Sequence, residues 1–283
     1  MKCTLFLCKV GILFCTPLLI VQNAAAASVV EENSWSKTYT TNSTAPSLSI
    51  DNIWGDIRIK ATTANTITVT VNERLVAADD KEMTKLKTFF ALNEQATSDR
   101  VSFKVGGDDL WHSKKKIHCR HCKAEFNFEV SVPANTQVDV HTVNDGIIEI
   151  DAVAGQITAG NINGPIAITA MQRCQSIKSI NDMITLSFAK SPSTDCEVKS
   201  INGDITVALP VTSDLNTAFD LMNGEIRSAF ELTTLPSPVV VDEQSNGGRK
   251  IYRIEQTPLM KIGKGGPTLS FNTLNGDVSL QKQ

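Results

Sequence analysis

The chain has 283 residues, 27 basic and 30 acidic side chains and a formal charge of −3, and 41% of it is hydrophobic. That length can build a sizeable core in one elongated domain, and the mild acidity argues against a general nucleic-acid binder. Residues 1–27 read as a secretory signal peptide: Lys2 and Lys9 give a positive start, Val10 to Val21 a short apolar run, and Ala24 to Ala27 the small residues of a cleavage site. The run is too short to span a bilayer. Cys15 is preceded by Phe14 rather than a small residue, which argues against a lipid-anchored start. No second long apolar segment follows. The chain from Ser28 onward is therefore expected to be soluble, without a transmembrane segment, in the periplasm or secreted to the cell surface. Losing two lysines and no acid takes its charge to −5.

Trp35 to Thr44 is Thr/Ser-rich and reads as an opening strand or arm. Ser47 to Lys60 gives two strands across a Trp54-Gly55 corner, and Thr66 to Val76 alternates Ile67, Val69 and Val71 with polar residues, a strand with one buried face. One short helix is expected near 79–88, capped by Asp79 or Asp80 with Glu82 and Lys85 on its exposed side. Phe89 to Glu94 and Val101 to Val105 form a hairpin. Gly106 to Lys123 breaks the pattern, and from Glu125 alternation resumes with Phe126, Phe128, Val130 and Val132.

From Val143 to Ser228 one phrase returns: an aliphatic residue, Asn, Gly or a substitute, an acid or polar residue, then Ile and a strand. It reads Ile180-Asn181-Asp182-Met183-Ile184, Ile201-Asn202-Gly203-Asp204-Ile205 and Met222-Asn223-Gly224-Glu225-Ile226, with the asparagines 21 apart twice in a row. Further copies begin at Ile53, Val143, Val153 and Ile162, and Leu274-Asn275-Gly276-Asp277-Val278 closes the chain. Asn-Gly tolerates positive φ and makes a tight corner. Strand–corner–strand units fit either hairpins or a flattened solenoid of one unit per coil. The constant register favours the solenoid. It predicts that Ile180, Ile201 and Met222 stack, as do Asn181, Asn202 and Asn223, and Ile184, Ile205 and Ile226.

The run Phe128-Glu129-Val130-Ser131-Val132-Pro133-Ala134-Asn135-Thr136, then Val138-Asp139-Val140, then serial Asn-Gly-Asp-Ile units, resembles the bacterial putative-adhesin family, a secreted domain also called the toast-rack domain. The likeness runs from about Ser47 to the C-terminus. It implies an all-β, solenoid-like fold outside the cytoplasm. The family carries no agreed catalytic residues, so none is transferred. The expected architecture is one elongated β-solenoid-like repeat domain over 28–283, with regular repeats over 143–228.

Four cysteines follow the signal: Cys119, Cys122, Cys174 and Cys196. In an exported protein disulfides are the default. Cys174 and Cys196 lie one repeat apart, leaving Cys119 with Cys122. An alternative use of the second pair is metal, because His112, His118 and His121 flank it, and thiolates with imidazoles suit zinc or copper. A redox-active dithiol is a third use. Lys114, Lys115, Lys116, Arg120 and Lys123 make the same segment basic, a patch that can meet phosphate groups. The corner acids Asp56, Asp204, Glu225 and Asp277 read as solvated corner positions, and His141 as a surface strand residue. The chain is thus expected to be a non-enzymatic scaffold or binding protein of the cell envelope. Its partner would be an envelope component, a polysaccharide or a protein surface. The alternatives are a metal- or redox-responsive protein acting through His112, His118, Cys119, His121 and Cys122, and a polysaccharide-active enzyme.

Overall fold

The computed structural model describes residues 28–106, 122–236, 240–246, 249–255 and 258–283. The expected signal peptide lies outside them. The first half of the chain holds β1 (Val29–Thr40), β2 (Ser47–Asp51), β3 (Ile57–Thr62), β4 (Thr66–Ala77), helix α1 (Asp80–Phe89), β5 (Leu92–Ala96), β6 (Arg100–Val105), β7 (Lys123–Pro133) and β8 (Gln137–Asn144). The repeats supply β9 (Ile148–Asp151), β10 (Gln156–Asn163), β11 (Ile166–Met171), β12 (Arg173–Ser179), β13 (Ile184–Phe188), β14 (Cys196–Asn202), β15 (Ile205–Leu209), β16 (Leu215–Asn223) and β17 (Ile226–Ser228). The remainder is β18 (Thr233–Leu235), β19 (Val240–Asn246), β20 (Arg249–Glu255), β21 (Leu259–Ile262), β22 (Thr268–Asn275) and β23 (Val278–Lys282). Among the described residues the fold is all-β with one helix, as expected.

Two large sheets face each other across the core. In the first the order is β1-β4-β7-β3-β9-β11-β13-β15-β23-β17, and in the second β18-β21-β16-β22-β14-β12-β10-β8-β2-β6-β5. From β3 to β17 and from β2 to β16 every neighbour is parallel. Each unit therefore sends one strand to each sheet across a corner and stacks on the next, which is a coil and not a hairpin. Seven such coils follow in space: β2–β3, β8–β9, β10–β11, β12–β13, β14–β15, β22–β23 and β16–β17.

This order corrects the stacking expected from the 21-residue spacing. Ile180 and Ile201 are neighbours, but the coil carrying Met222, Asn223 and Ile226 does not sit on the coil carrying Asn202. The closing repeat is inserted between them: Asn202 aligns with Asn275, and Asn275 with Asn223. Ile205 likewise pairs with Val278, and Val278 with Ile226. The closing repeat has the same phrase as its two neighbours, so both of its edges match the ladder it enters.

The core is built from stacked rows. On one inner face Ile57, Ile148, Ile166, Ile184, Ile205 and Val278 lie coil on coil, all fully buried. Opposite them run Ile50, Val140, Ala159, Ile177, Val198, Phe271 and Phe219, and the last two rings stack at 5.3 Å. Beneath the first coil, β4, β7 and α1 close the stack. The Asp79 side chain accepts from the Glu82 N–H at 2.8 Å to cap α1, and Met83 and Leu86 face the core.

The corners carry three further ladders. Asn163, Asn181, Asn202, Asn275 and Asn223 form a chain of side-chain amide hydrogen bonds that starts at Asn144, with N···O distances from 2.7 to 3.1 Å. Next to it the acids act as caps. The Asp204 carboxylate accepts from the Asp277 N–H, and the Asp277 carboxylate from the Glu225 N–H, both at 2.9 Å. Inside the corner lies a buried polar row, Thr142, Asn161, Ser179, Ser200 and Thr273. Three of its members hold corner glycine carbonyls: Thr142 reaches Gly55, Asn161 reaches Gly146 and Thr273 reaches Gly276. An interior member of the amide ladder donates once and accepts once, whereas a terminal member makes one bond. Asn202→Ala is therefore expected to lose about 1–2 kcal/mol, roughly twice the loss at Asn223→Ala. Urea denaturation of the two variants checks this, and equal losses would show that the ladder contributes nothing.

At Gly203, Gly224 and Gly276 glycine serves close approach rather than φ, whereas Gly55 takes a φ of 110°. Gly203, Gly224 and Gly276 are not among the positive-φ glycines, which corrects the sequence expectation. A Cβ on Gly276 would drive into the Gly203 carbonyl oxygen, and one on Gly224 into that of Gly276.

Candidate binding face

In six of the phrases the opening aliphatic residue points out of the protein, whereas Ile53 and Val153 are buried. Inward phase runs Cys196, Val198, Ser200, so Lys199 and Ile201 face solvent. The same holds coil by coil. Val143, Ile162, Ile180, Ile201, Leu274 and Met222 form one outward row on six consecutive coils, and Ile162, Leu274, Ile201 and Met222 are 37 to 75% exposed. At the parallel strand spacing the row is about 24 Å long. An apolar line of this length on an outer sheet face is more than the single scattered exposed side chains usual on a protein surface.

A second row runs beside it: Asp51, His141, Gly160, Lys178, Lys199, Asn272 and Asp220. Between the two rows lies a groove of about 570 Å³, with Ile162, Ile180 and Ile201 on its apolar side and His141, Lys178 and Lys199 on the other. Gly160 makes room for the His141 ring, since a Cβ there would lie 2.6 Å from its Cδ2. The imidazole Nδ1 is 3.5 Å from Asp51 Oδ1 and 3.6 Å from Asp139 Oδ1. Glu197 bridges the lysines, at 2.6 Å from Lys199 and 3.3 Å from Lys178. Its carboxyl is held below the usual range first by Lys199, against an opposing effect of burial, and then by Lys178.

The hydrogen bond to Asp51 raises the His141 pKa; burial and Lys178 oppose it, and Asp139 assists. A raised folded-state pKa contributes stability that is fully present below the unfolded value of about 6.5 and is lost as pH rises through the folded value. Asp51→Asn is expected to lower the His141 midpoint and to flatten that loss above about pH 6.5. An NMR titration of the imidazole reads the first effect. An unchanged midpoint would remove Asp51 from the account.

The opposite sheet carries a groove of about 550 Å³ that is more polar, with Arg58, Lys60, Glu129, Glu149, Asp151 and Thr169 around it. Arg58 is tied to Asp56 and Glu149, each at 2.7 Å, and Thr169 donates to Asp151 at 2.6 Å. It has no continuous apolar row.

Of the site residues expected from sequence, His112, His118, Cys119 and His121 lie outside the described residues, as does the lysine run 114–116. Cys122 is disulfide-bonded, and its Sγ lies 3.6 Å from Glu82 Oε2. Cys174 and Cys196 are joined to each other, Cα atoms 5.2 Å apart, between adjacent coils. The corner acids sit at the corners as expected; Asp56, Asp204 and Asp277 accept from backbone N–H groups there, and Glu225 pairs with Arg227. In the sequence the outward aliphatic residues stand out only as part of the phrase. Following the alternation of Val198 and Ser200 one step further would have placed Ile201 outside.

No family model matches the chain, and no curated protein matches it. Solved structures do. A putative cell adhesion protein from Clostridium sporogenes is 9% identical, covering 89% of this chain and 100% of that one, with a TM-score of 0.43. A putative adhesin from Bacteroides fragilis is also 9% identical, over 89% and 97%, with a TM-score of 0.34. One from Parabacteroides merdae is 10% identical, over 88% and 96%, with a TM-score of 0.25. No helix among the described residues is long and apolar enough to cross a membrane.

Proposed function

We propose that this chain is an exported, non-enzymatic binding or scaffold protein of the cell envelope, adhesin-like. In this reading it works in the periplasm or at the cell surface and holds its partner along the outward aliphatic row. The observation that carries the reading is the row itself: six aliphatic side chains on stacked coils, straight, outward and bordered by an ionic row. Rigid stacked sheets suit an extended partner, such as a polysaccharide, an envelope component or a protein surface, better than a small enclosed ligand. The signal-like first 27 residues and the family resemblance support the location.

The test replaces Ile162, Ile201 and Met222 with serine together and measures co-sedimentation with isolated cell-wall polysaccharide particles and with phospholipid vesicles. The unaltered chain is expected to bind one of the two, and the triple variant to bind it about tenfold more weakly, a loss of about 1.4 kcal/mol, with unchanged far-UV circular dichroism. Binding that is indifferent to the three substitutions would move the site off this row. Release of soluble product from the particles would replace the binding reading with an enzymatic one.

A further inference from the structure

The chain lays down β16–β17 before β22–β23, yet in space β22–β23 lies inside and β16–β17 outside. The slot between β14–β15 and β16–β17 is therefore filled by a segment that is made later and comes from the far end of the chain. We propose that this slot exchanges its occupant between copies, so that the C-terminal coil Thr268–Lys282 of one chain inserts into the slot of a second copy and receives that copy's coil in return.

Three observations carry this. First, the ladders that hold the coil are repeat-generic, and its particular contacts, Phe271 on Phe219, the Thr268 N–H to Asp195 and Asn272 to Asp220, are ones that any second copy offers as well. Asn275 bonds to Asn202 on one side and to Asn223 on the other, and Val278 pairs with Ile205 and with Ile226. The Ile205 N–H donates to the Asp277 carbonyl, and the Val278 N–H to that of Glu225. A coil from another copy makes the same bonds, residue for residue, so exchange leaves the interior contacts unchanged.

Second, the slot is one that folding must open. Asn223 follows Asn202 by the same 21 residues that separate Asn202 from Asn181, so β16–β17 is in register to close directly on β14–β15. It has to stand one coil away for the last repeat to enter. Chains emerge N-terminal part first, so an occupied slot depends on the arrival of a C-terminal coil, whichever chain that coil belongs to.

Third, the connection has the form of a hinge. β21 ends at Ile262 and is held antiparallel on β16, β22 begins at Thr268, and the residues between are Gly263, Lys264, Gly265, Gly266 and Pro267. Gly263 and Gly265 have φ of 59° and 79°. The loop is latched from outside the coil, by Asp214 accepting from the Lys264 N–H and by Asn216 donating to the Gly266 carbonyl, each at 2.7 Å. Short hinges next to an intact, self-complementary element are where domain exchange arises.

The test uses full chains. Thr206 and Ser279 are direct cross-strand neighbours on the outer face of the first sheet, at a parallel spacing of about 4.8 Å that a disulfide bridges. Chains with Thr206→Cys and chains with Ser279→Cys are mixed, unfolded and refolded together at high concentration, then oxidised. Exchange is expected to shift the cross-linked product on a non-reducing gel to twice the chain mass, with one chain of each kind. The double variant Thr206→Cys with Ser279→Cys in one chain reports that the slot is folded, by forming its bond. Mixed single variants that stay monomeric while the double variant cross-links within itself would overturn the proposal. Arg227→Cys with Ser279→Cys reads the other wall of the slot in the same way, and a result there contradicting the first pair would overturn it too.

Discussion

Replacing Gly276 with alanine is expected to destabilise the protein by on the order of 3 kcal/mol, although the change adds one methyl group at a surface corner. The new Cβ would be driven into the carbonyl oxygen of Gly203, a backbone atom of the neighbouring coil that is itself fixed by the ladder. Gly276 also receives the Thr273 hydroxyl on its own carbonyl, so the corner cannot swing away without releasing a buried polar group. Relief would require separating two coils that are paired strand to strand on both sheets. Ser279→Ala, outward on the same coil, is expected to stay within about 0.5 kcal/mol of the parent. Urea denaturation of both variants makes the comparison. A Gly276→Ala loss no larger than the Ser279→Ala change would mean that the corner has slack and that the glycine ladder is incidental.

Breaking the Cys174–Cys196 bond is the second large effect, about 3 kcal/mol. The two cysteines are 22 residues apart, and the bond ties the β12–β13 coil to the β14–β15 coil. Both side chains are buried, so the bond sits within a core row, between Ile157 on one side and Leu269 on the other. Removing it frees the unfolded chain and also strips packing from the middle of the stack. Thermal unfolding of Cys174→Ala with Cys196→Ala is expected to fall well below the parent. A reducing agent should bring the parent most of the way toward the variant and shift the variant, which keeps only the bond at Cys122, by much less. A parent whose unfolding is indifferent to reductant would show that the stacked strands alone hold these coils.

Much of the stack was legible because its signals are local. Ile166 and Ile168, or Ile205, Val207 and Leu209, announce a one-sided strand by alternation alone, and the phrase between them announces a corner. The capping of α1 by Asp79 and the bridging of adjacent coils by Cys174 and Cys196 were equally open to reading. What escaped depends on the neighbouring coil. Glycine at 203, 224 and 276 looked like a residue chosen for φ, because a sequence shows a residue's own freedom and not the carbonyl lying against it. The order of the last three coils escaped for a related reason. A repeat that matches both of its neighbours fits every position in the ladder equally well, so nothing in its own residues says where it enters. The outward row was hidden by the company of its members, since an isoleucine beside a corner reads as core until the phase is followed through Ser200. The buried row Thr142, Asn161, Ser179, Ser200 and Thr273 was missed because small polar residues at strand ends look solvated.

The inserted coil also decides how the protein takes a load. In a repeat protein whose last unit is its outermost, a pull on the C-terminus peels that unit away from a single neighbour, one bond after another. Here the final strand, β23, lies between β15 and β17 along its sheet, as β22 lies between β14 and β16 in the other. Tension on Lys282 runs nearly along the strands and loads the ladders on both flanks together, in shear. The last coil is thus gripped on both sides, like the interior coils of the stack, rather than on one.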